Sequence, residues 1–203
     1  MFLRDPQSLL SAIPAILIAI TFHEFAHGKM ASILGDPTPA RTGRLTLNPL
    51  KHLDVYGTLM LLIVGFGWAK PVQVNPMYFK DRRKGMVYTS LAGPAMNLTL
   101  AYFATLFLGI LSPGGWLQIF LWYSVWFNVV LAVFNLIPIP PLDGSKVLFG
   151  LLPPAMVIKL LPLQRYGNIL LIVLLLTGIL GKVITPVIFT IIGVLERLVG
   201  LIV

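Results

Sequence analysis

The chain has 203 residues, a net charge of +8, and 57% apolar residues when aromatics and alanine are counted; its mean hydropathy is +0.90. Those values exclude an ordinary soluble domain and place the chain among polytopic membrane proteins. Cysteine is absent, which excludes disulfides and thiolate metal sites, and the positive charge is explained by basic loops facing anionic lipid rather than by nucleic acid.

Asp5-Pro6 has the form of a helix start, an N-cap followed by proline at the first helical position. The helix it opens runs to Leu34, where Gly35-Asp36-Pro37 stops it, and its core from Leu9 to Ile33 is long enough to cross a bilayer. This apolar stretch outlasts a signal h-region and carries no small-residue cleavage site, so it is expected to remain as an anchor. Residues 38–54 carry Arg41, Arg44 and Lys51 and the alternating "RLTLN", a candidate short strand. Gly57 to Gly67 is apolar but too short for a full span and is expected to be re-entrant. A basic loop follows from Trp68 to Lys84, with "KDRRK" at its end.

Two further spans are expected, Met86 to Leu111 and Trp116 to Ile137, joined by the uncharged turn "SPGG". The Pro-rich "PIPPLDG" then leads into Ser145 to Leu163. The tail from Arg165 is apolar, is broken near Gly178 to Lys182, and makes one or two spans. The expected fold is an all-α polytopic bundle of about five to six apolar helical segments, with a short re-entrant or strand-like stretch after the first helix. No polar region is long enough for a second domain, so residues 1–203 are expected to form one membrane domain. Excess Lys and Arg in three loops puts those loops in the cytoplasm and the N-terminus outside.

The strongest local signal is "HEFAH", residues 23–27, which holds two of the three histidines in the chain. On a helix, His23 and His27 lie one turn apart on the same face and can reach one ion, with Glu24 beside them as a base toward water. His23 lies about 20 Å along the helix from Leu9, inside the hydrocarbon. Three ionisable groups in one turn at that depth mark a functional site.

A catalytic zinc normally takes three protein ligands and keeps one open position. The third is therefore expected to be His52 or a carboxylate. Glu196 is remote in sequence, which leaves Asp54 and Asp143, and Asp143 follows a span ending on the side where the histidines lie. Spacing alone leaves open whether Asp143 ligates or N-caps the helix it precedes. Asp54 is expected to be a helix cap, and His52 sits in a basic loop with a substrate or site contact as its alternative role.

Taken together, "HEFAH" in the first span, "AGPAMN" in a later one and "NLIPIPPLDG" at a span end resemble the site-2 proteases, across the first three quarters of the chain. The resemblance implies intramembrane zinc proteolysis with one Zn2+ per chain, held by His23, His27 and Asp143, with Glu24 as catalytic base. It implies that Asn135 helps hold substrate or oxyanion, and that Gly93, Pro94 and Asn97 pack or act beside the site. Ser145 departs from the family's usual "LDGG" or "LDGH". The short form without PDZ or CBS modules is similar to bacterial and archaeal members.

The implied partners are a single-span membrane-protein substrate and the lipid bilayer, with no nucleic acid; a homo-oligomer is left open. The implied role is regulated intramembrane proteolysis or clearance of membrane peptides, in a bacterial or archaeal cell membrane with the site toward the cytoplasm. The strand-like segment near Leu45 is the candidate for pairing with an unwound substrate. A metal transporter is the main rival, but it calls for further polar residues along a pathway, and the later spans carry few.

Overall fold

A computed structural model describes residues 6–64 and 67–202. These residues form nine α-helices and no strand: α1 Pro6–Ile33, α2 Thr38–Arg41, α3 Val55–Val64, α4 Arg82–Leu111, α5 Gly115–Asn135, α6 Asp143–Leu151, α7 Pro154–Leu160, α8 Gly167–Leu176 and α9 Ile179–Gly200. Four helices (α1, α4, α5 and α9) are long and apolar enough to cross a membrane. A fifth span results if the pair α7 and α8, bent by 44°, is counted as one. The all-α polytopic expectation holds.

Asp5, the expected N-cap of α1, lies outside the described residues. At the other end of α1, Gly35 takes φ 99°, and the Asp36 N–H donates to Ala31 O at 2.9 Å, closing the last turn. α4 starts four residues before the expected Met86. The Asp81 carboxylate accepts the Arg83 and Lys84 N–H groups at 3.0 Å each, so most of the basic run is drawn into the first helical turn.

α1, α4 and α5 pack on one another, and α9 closes against α4 and α5. The buried face of α1 is largely alanine, with Ala12, Ala15, Ala19, Ala26 and Ala31. In lipid there is little hydrophobic drive between helices, so small residues that allow close approach carry the packing. A larger core joins Ala101 and Ala104 of α4, Val125 and Val129 of α5, and Ile188 and Ile192 of α9.

The segment expected to be re-entrant holds the short helix α3. α3 has ten residues, or about 15 Å, half of a bilayer core. Its two flanks are tied together: Leu53 and Ala69 form an antiparallel bridge, and the Lys70 N–H donates to His52 O at 2.8 Å. The two flanks of α3 therefore lie side by side. Gly65 and Phe66, within the expected segment, lie outside the described residues.

Two expectations are corrected. "RLTLN" forms no strand, because the Arg44 and Leu45 N–H groups turn back onto Pro39 O at 2.8 and 3.2 Å instead of facing a partner strand. Ser145 to Leu163 is not one segment, because Pro153 and Pro154 break it between α6 and α7. The tail breaks where expected, at Gly178, with φ 70°.

Candidate metal centre

His23 and His27 lie in the C-terminal half of α1, and Asp143 is the first residue of α6. Between α5 and α6, residues 136–142 are non-helical, as three prolines require. That break carries Asp143 back beneath α1. Its Oδ2 lies 2.9 Å from His27 Nε2 and 3.3 Å from His23 Nε2, and the two Nε2 atoms are 2.9 Å apart. All three residues are buried.

Asp143 does not occupy the cap position that its spacing also allowed. The N-cap position of α6 belongs to Leu142. Asp143 Oδ2 faces the imidazoles, and Oδ1 accepts from Lys146 Nζ at 3.0 Å.

Hydrogen bonds behind the histidines fix their tautomers. His27 Nδ1 lies 2.6 Å from Thr89 O, a carbonyl that can only accept, so Nδ1 carries the proton. His23 Nδ1 lies 2.5 Å from Asn97 Oδ1. The Asn97 amide nitrogen donates to Ala19 O at 3.0 Å and to Asn128 Oδ1 at 2.7 Å, which turns its oxygen toward His23. Asn128 is itself oriented by donating to Ser124 O at 2.8 Å. Both Nε2 atoms therefore present bare lone pairs to one another and to an anionic oxygen.

Three acceptors this close repel unless a cation lies among them. In a tetrahedral zinc site with bonds near 2.05 Å, ligand atoms sit about 3.3 Å apart. The observed separations of 2.9 to 3.3 Å need only a few tenths of an ångström of opening. The donor set fits zinc, and both imidazoles have the outer hydrogen bonds that metal-binding histidines take.

Glu24, next to His23, is half-buried, and its Oε2 accepts the Val72 N–H at 2.8 Å. Gly93 lies against the metal face. A Cβ there would sit 2.5 Å from His27 Nε2 and 2.7 Å from His23 Nε2. Pro94 is buried beside it. Gly144 is pressed in the same way, since its Cβ would meet Leu136 O at 2.1 Å.

Asn135 ends α5, half-buried, with its amide nitrogen donating to Leu131 O at 3.0 Å. His52 does not join the cluster: it is fully buried beside the loop that follows α2 and makes an Nε2 hydrogen bond to Thr46 O at 2.8 Å. Asp54 caps α3, accepting the Gly57 N–H at 2.8 Å.

A family model, peptidase family M50, matches residues 111–181, which include Asn135 and Asp143. Almost the whole chain is similar to "Putative zinc metalloprotease YwhC" of Bacillus subtilis: 39% identical over 195 residues, 91% of this chain and 89% of that protein. The chain belongs to peptidase family M50, the site-2 proteases. "Putative zinc metalloprotease Rip2" of Mycolicibacterium smegmatis is 35% identical over 178 residues, 82% of this chain and 66% of that protein. Rip2 of Mycobacterium tuberculosis is 33% identical over 175 residues, 81% and 66% respectively. No solved structure matches the chain.

The chain is thus a multi-pass membrane zinc metalloprotease of the M50 family. Its structure adds residues that the motifs did not single out. Asn128 and Ser124 are polar at helical spacing in an apolar span, a signal open to a sequence reader. The carbonyl of Thr89 and the N–H of Val72 are backbone groups, and no residue type announces them.

Proposed function

We propose that this M50 protease hydrolyses peptide bonds in or near the transmembrane segment of single-span membrane proteins, using one zinc ion held by His23, His27 and Asp143. The observation that carries the reading is the convergence of three lone-pair atoms, buried among membrane helices, with the Glu24 carboxylate one residue from a ligand. Bound there, zinc supplies a Lewis acid that acidifies water and polarises a carbonyl.

Glu24 accepts the proton of the attacking water and returns it to the departing amine nitrogen. The Val72 N–H on Oε2 keeps the carboxylate oriented. The Asn135 amide has two hydrogens; one is given to Leu131 O, and the other serves the developing oxyanion. Thr89 and Asn97 hold the histidines in the tautomer that leaves Nε2 free.

The site lies toward the bundle end formed by the C-terminus of α1, the N-terminus of α4 and the C-terminus of α5. Arg41, Arg44, Lys51, Lys70 and Lys80 lie in the connections between α1 and α4, whereas Ser112 to Gly114, between α4 and α5, are uncharged. By the positive-inside rule the site faces the cytoplasm of a bacterial or archaeal cell, and residues 1–203 act as one catalytic domain.

The test is co-expression with candidate single-span membrane proteins, comparing wild type, Glu24→Gln and Asp143→Asn. Cleavage should stop in both variants, and zinc content should fall only in Asp143→Asn. Cleavage surviving in Glu24→Gln refutes the mechanism, and full zinc in Asp143→Asn refutes the ligand set.

A further inference from the structure

The mechanism leaves one buried carboxylate without a role. Asp36 is 1% exposed, and its own N–H ties it to the last turn of α1 through Ala31 O. Its Oδ1 accepts the Thr38 N–H at 2.9 Å, which is local turn chemistry. Its Oδ2 accepts the Asn75 N–H at 2.7 Å, across 39 residues of sequence.

Asn75 ends the non-helical stretch 67–75, and three residues before it stands Val72, whose N–H holds Glu24. α1 and the turn that follows it thus hold one non-helical segment through two carboxylates, each taking a backbone N–H. Between the grips, Val72 packs on α1 at Gly28, where a Cβ would stand 3.4 Å from Val72 Cγ1. The upstream end of the segment is pinned separately, by the Leu53–Ala69 bridge and the Lys70 N–H bond to His52 O.

We propose that Asp36 is a positioning residue for the general base: it clamps the segment 72–75 along α1 so that the Val72 N–H meets Glu24 Oε2. The inference rests on Glu24 being the base. Asp36 lies more than two helical turns from the metal face and touches none of the ligands. The ligands are oriented instead by Asn97, Thr89 and Lys146, from α4 and α6. Loosening the clamp leaves the metal site intact and lets the base wander.

The experiment uses the full chain in detergent. Asp36→Asn keeps one acceptor oxygen and places an amide against the second N–H, so one of the two bonds is lost; Asp36→Ala loses both. Val72→Pro deletes the N–H that meets Glu24 and approaches the same contact from its other side. Three quantities are measured: zinc per chain, kcat per bound zinc on the substrate found by Glu24-dependent cleavage, and amide exchange at Val72 and Asn75.

Zinc content is expected to stay at the wild-type level in all three variants. kcat per bound zinc should fall by about 10- to 100-fold. Exchange at Val72 should accelerate at least about 10-fold in Asp36→Asn and Asp36→Ala, although Val72 is not the residue that Asp36 touches. A merely structural role would lower zinc and activity together and leave kcat per bound zinc unchanged, and that result overturns the proposal. Unchanged exchange at Val72 in Asp36→Ala overturns it as well. Activity surviving in Glu24→Gln would instead sink the base assignment, and the exchange data distinguish the two failures.

Discussion

Replacing Gly93 with alanine adds one methyl group at the point where α4 meets both metal-facing imidazoles. The new Cβ would stand 2.5 Å from His27 Nε2 and 2.7 Å from both Nε2 and Cε1 of His23, where ordinary contact begins at 3.4 Å. Relieving the worst overlap takes 0.9 Å of movement at a ligand atom. Metal–ligand distances tolerate only about 0.2 Å, so the imidazoles can escape the methyl only by abandoning the geometry that Thr89 and Asn97 impose. Overpacking of this kind costs about 1–3 kcal/mol, which corresponds to a loss of zinc affinity of about 5- to 150-fold. The helix itself gains by up to about 1 kcal/mol when alanine replaces glycine, so loss of metal need not bring loss of fold. Chelator competition on detergent-purified Gly93→Ala, with helicity followed in parallel, separates the two effects. Wild-type zinc affinity in Gly93→Ala would refute the reasoning that α4 presses its backbone against the ligand face.

Other substitutions probe the same centre from different sides. Asn128→Leu removes the acceptor that fixes the Asn97 amide; zinc affinity should fall about 10-fold, by chelator competition, although Asn128 touches no ligand. Gly144→Ala drives a methyl into the Leu136 carbonyl, displacing the start of α6, and bound zinc per chain should fall with it. Lys146→Met frees Asp143 Oδ1; zinc affinity should drop by less than in Asp143→Asn and return in Lys146→Arg. Because the imidazoles bind metal only when Nε2 is unprotonated, zinc should be released as pH falls and taken up again as it rises, a reversible loss visible in dialysis against buffers of descending pH.

Much of this was legible in the sequence where chemistry resides in residue types. The shared face of His23 and His27 follows from helical periodicity, and the segment around α3 is as short as its apolar run. Asp143 was ambiguous because Asp before Gly and Ser is as good a cap as a ligand. Only the path of the broken chain, turning back under α1, decides where its oxygens point. "RLTLN" misled because alternation reports a possible strand face and not the presence of a partner strand, and the N–H groups of Arg44 and Leu45 found Pro39 O first. Val72 and Thr89 could not be anticipated, because what they contribute is a backbone atom in a particular place.

The two halves of the catalytic apparatus are supported by different parts of the chain. The proposed ligand set is oriented from α4 through Thr89 and Asn97, with Asn128 of α5 behind, and from α6 through Asp143 and Lys146. α6 is in turn anchored to the start of α4, where Arg83 donates to Gly150 O at 3.1 Å and also to Leu152 O. Glu24 takes its hydrogen bond from the extended segment after α3 instead, on the opposite chain connection. α1 carries members of both halves. Substitutions in α4 or α6 should therefore act first on zinc affinity, and substitutions in the segment 67–75 first on turnover.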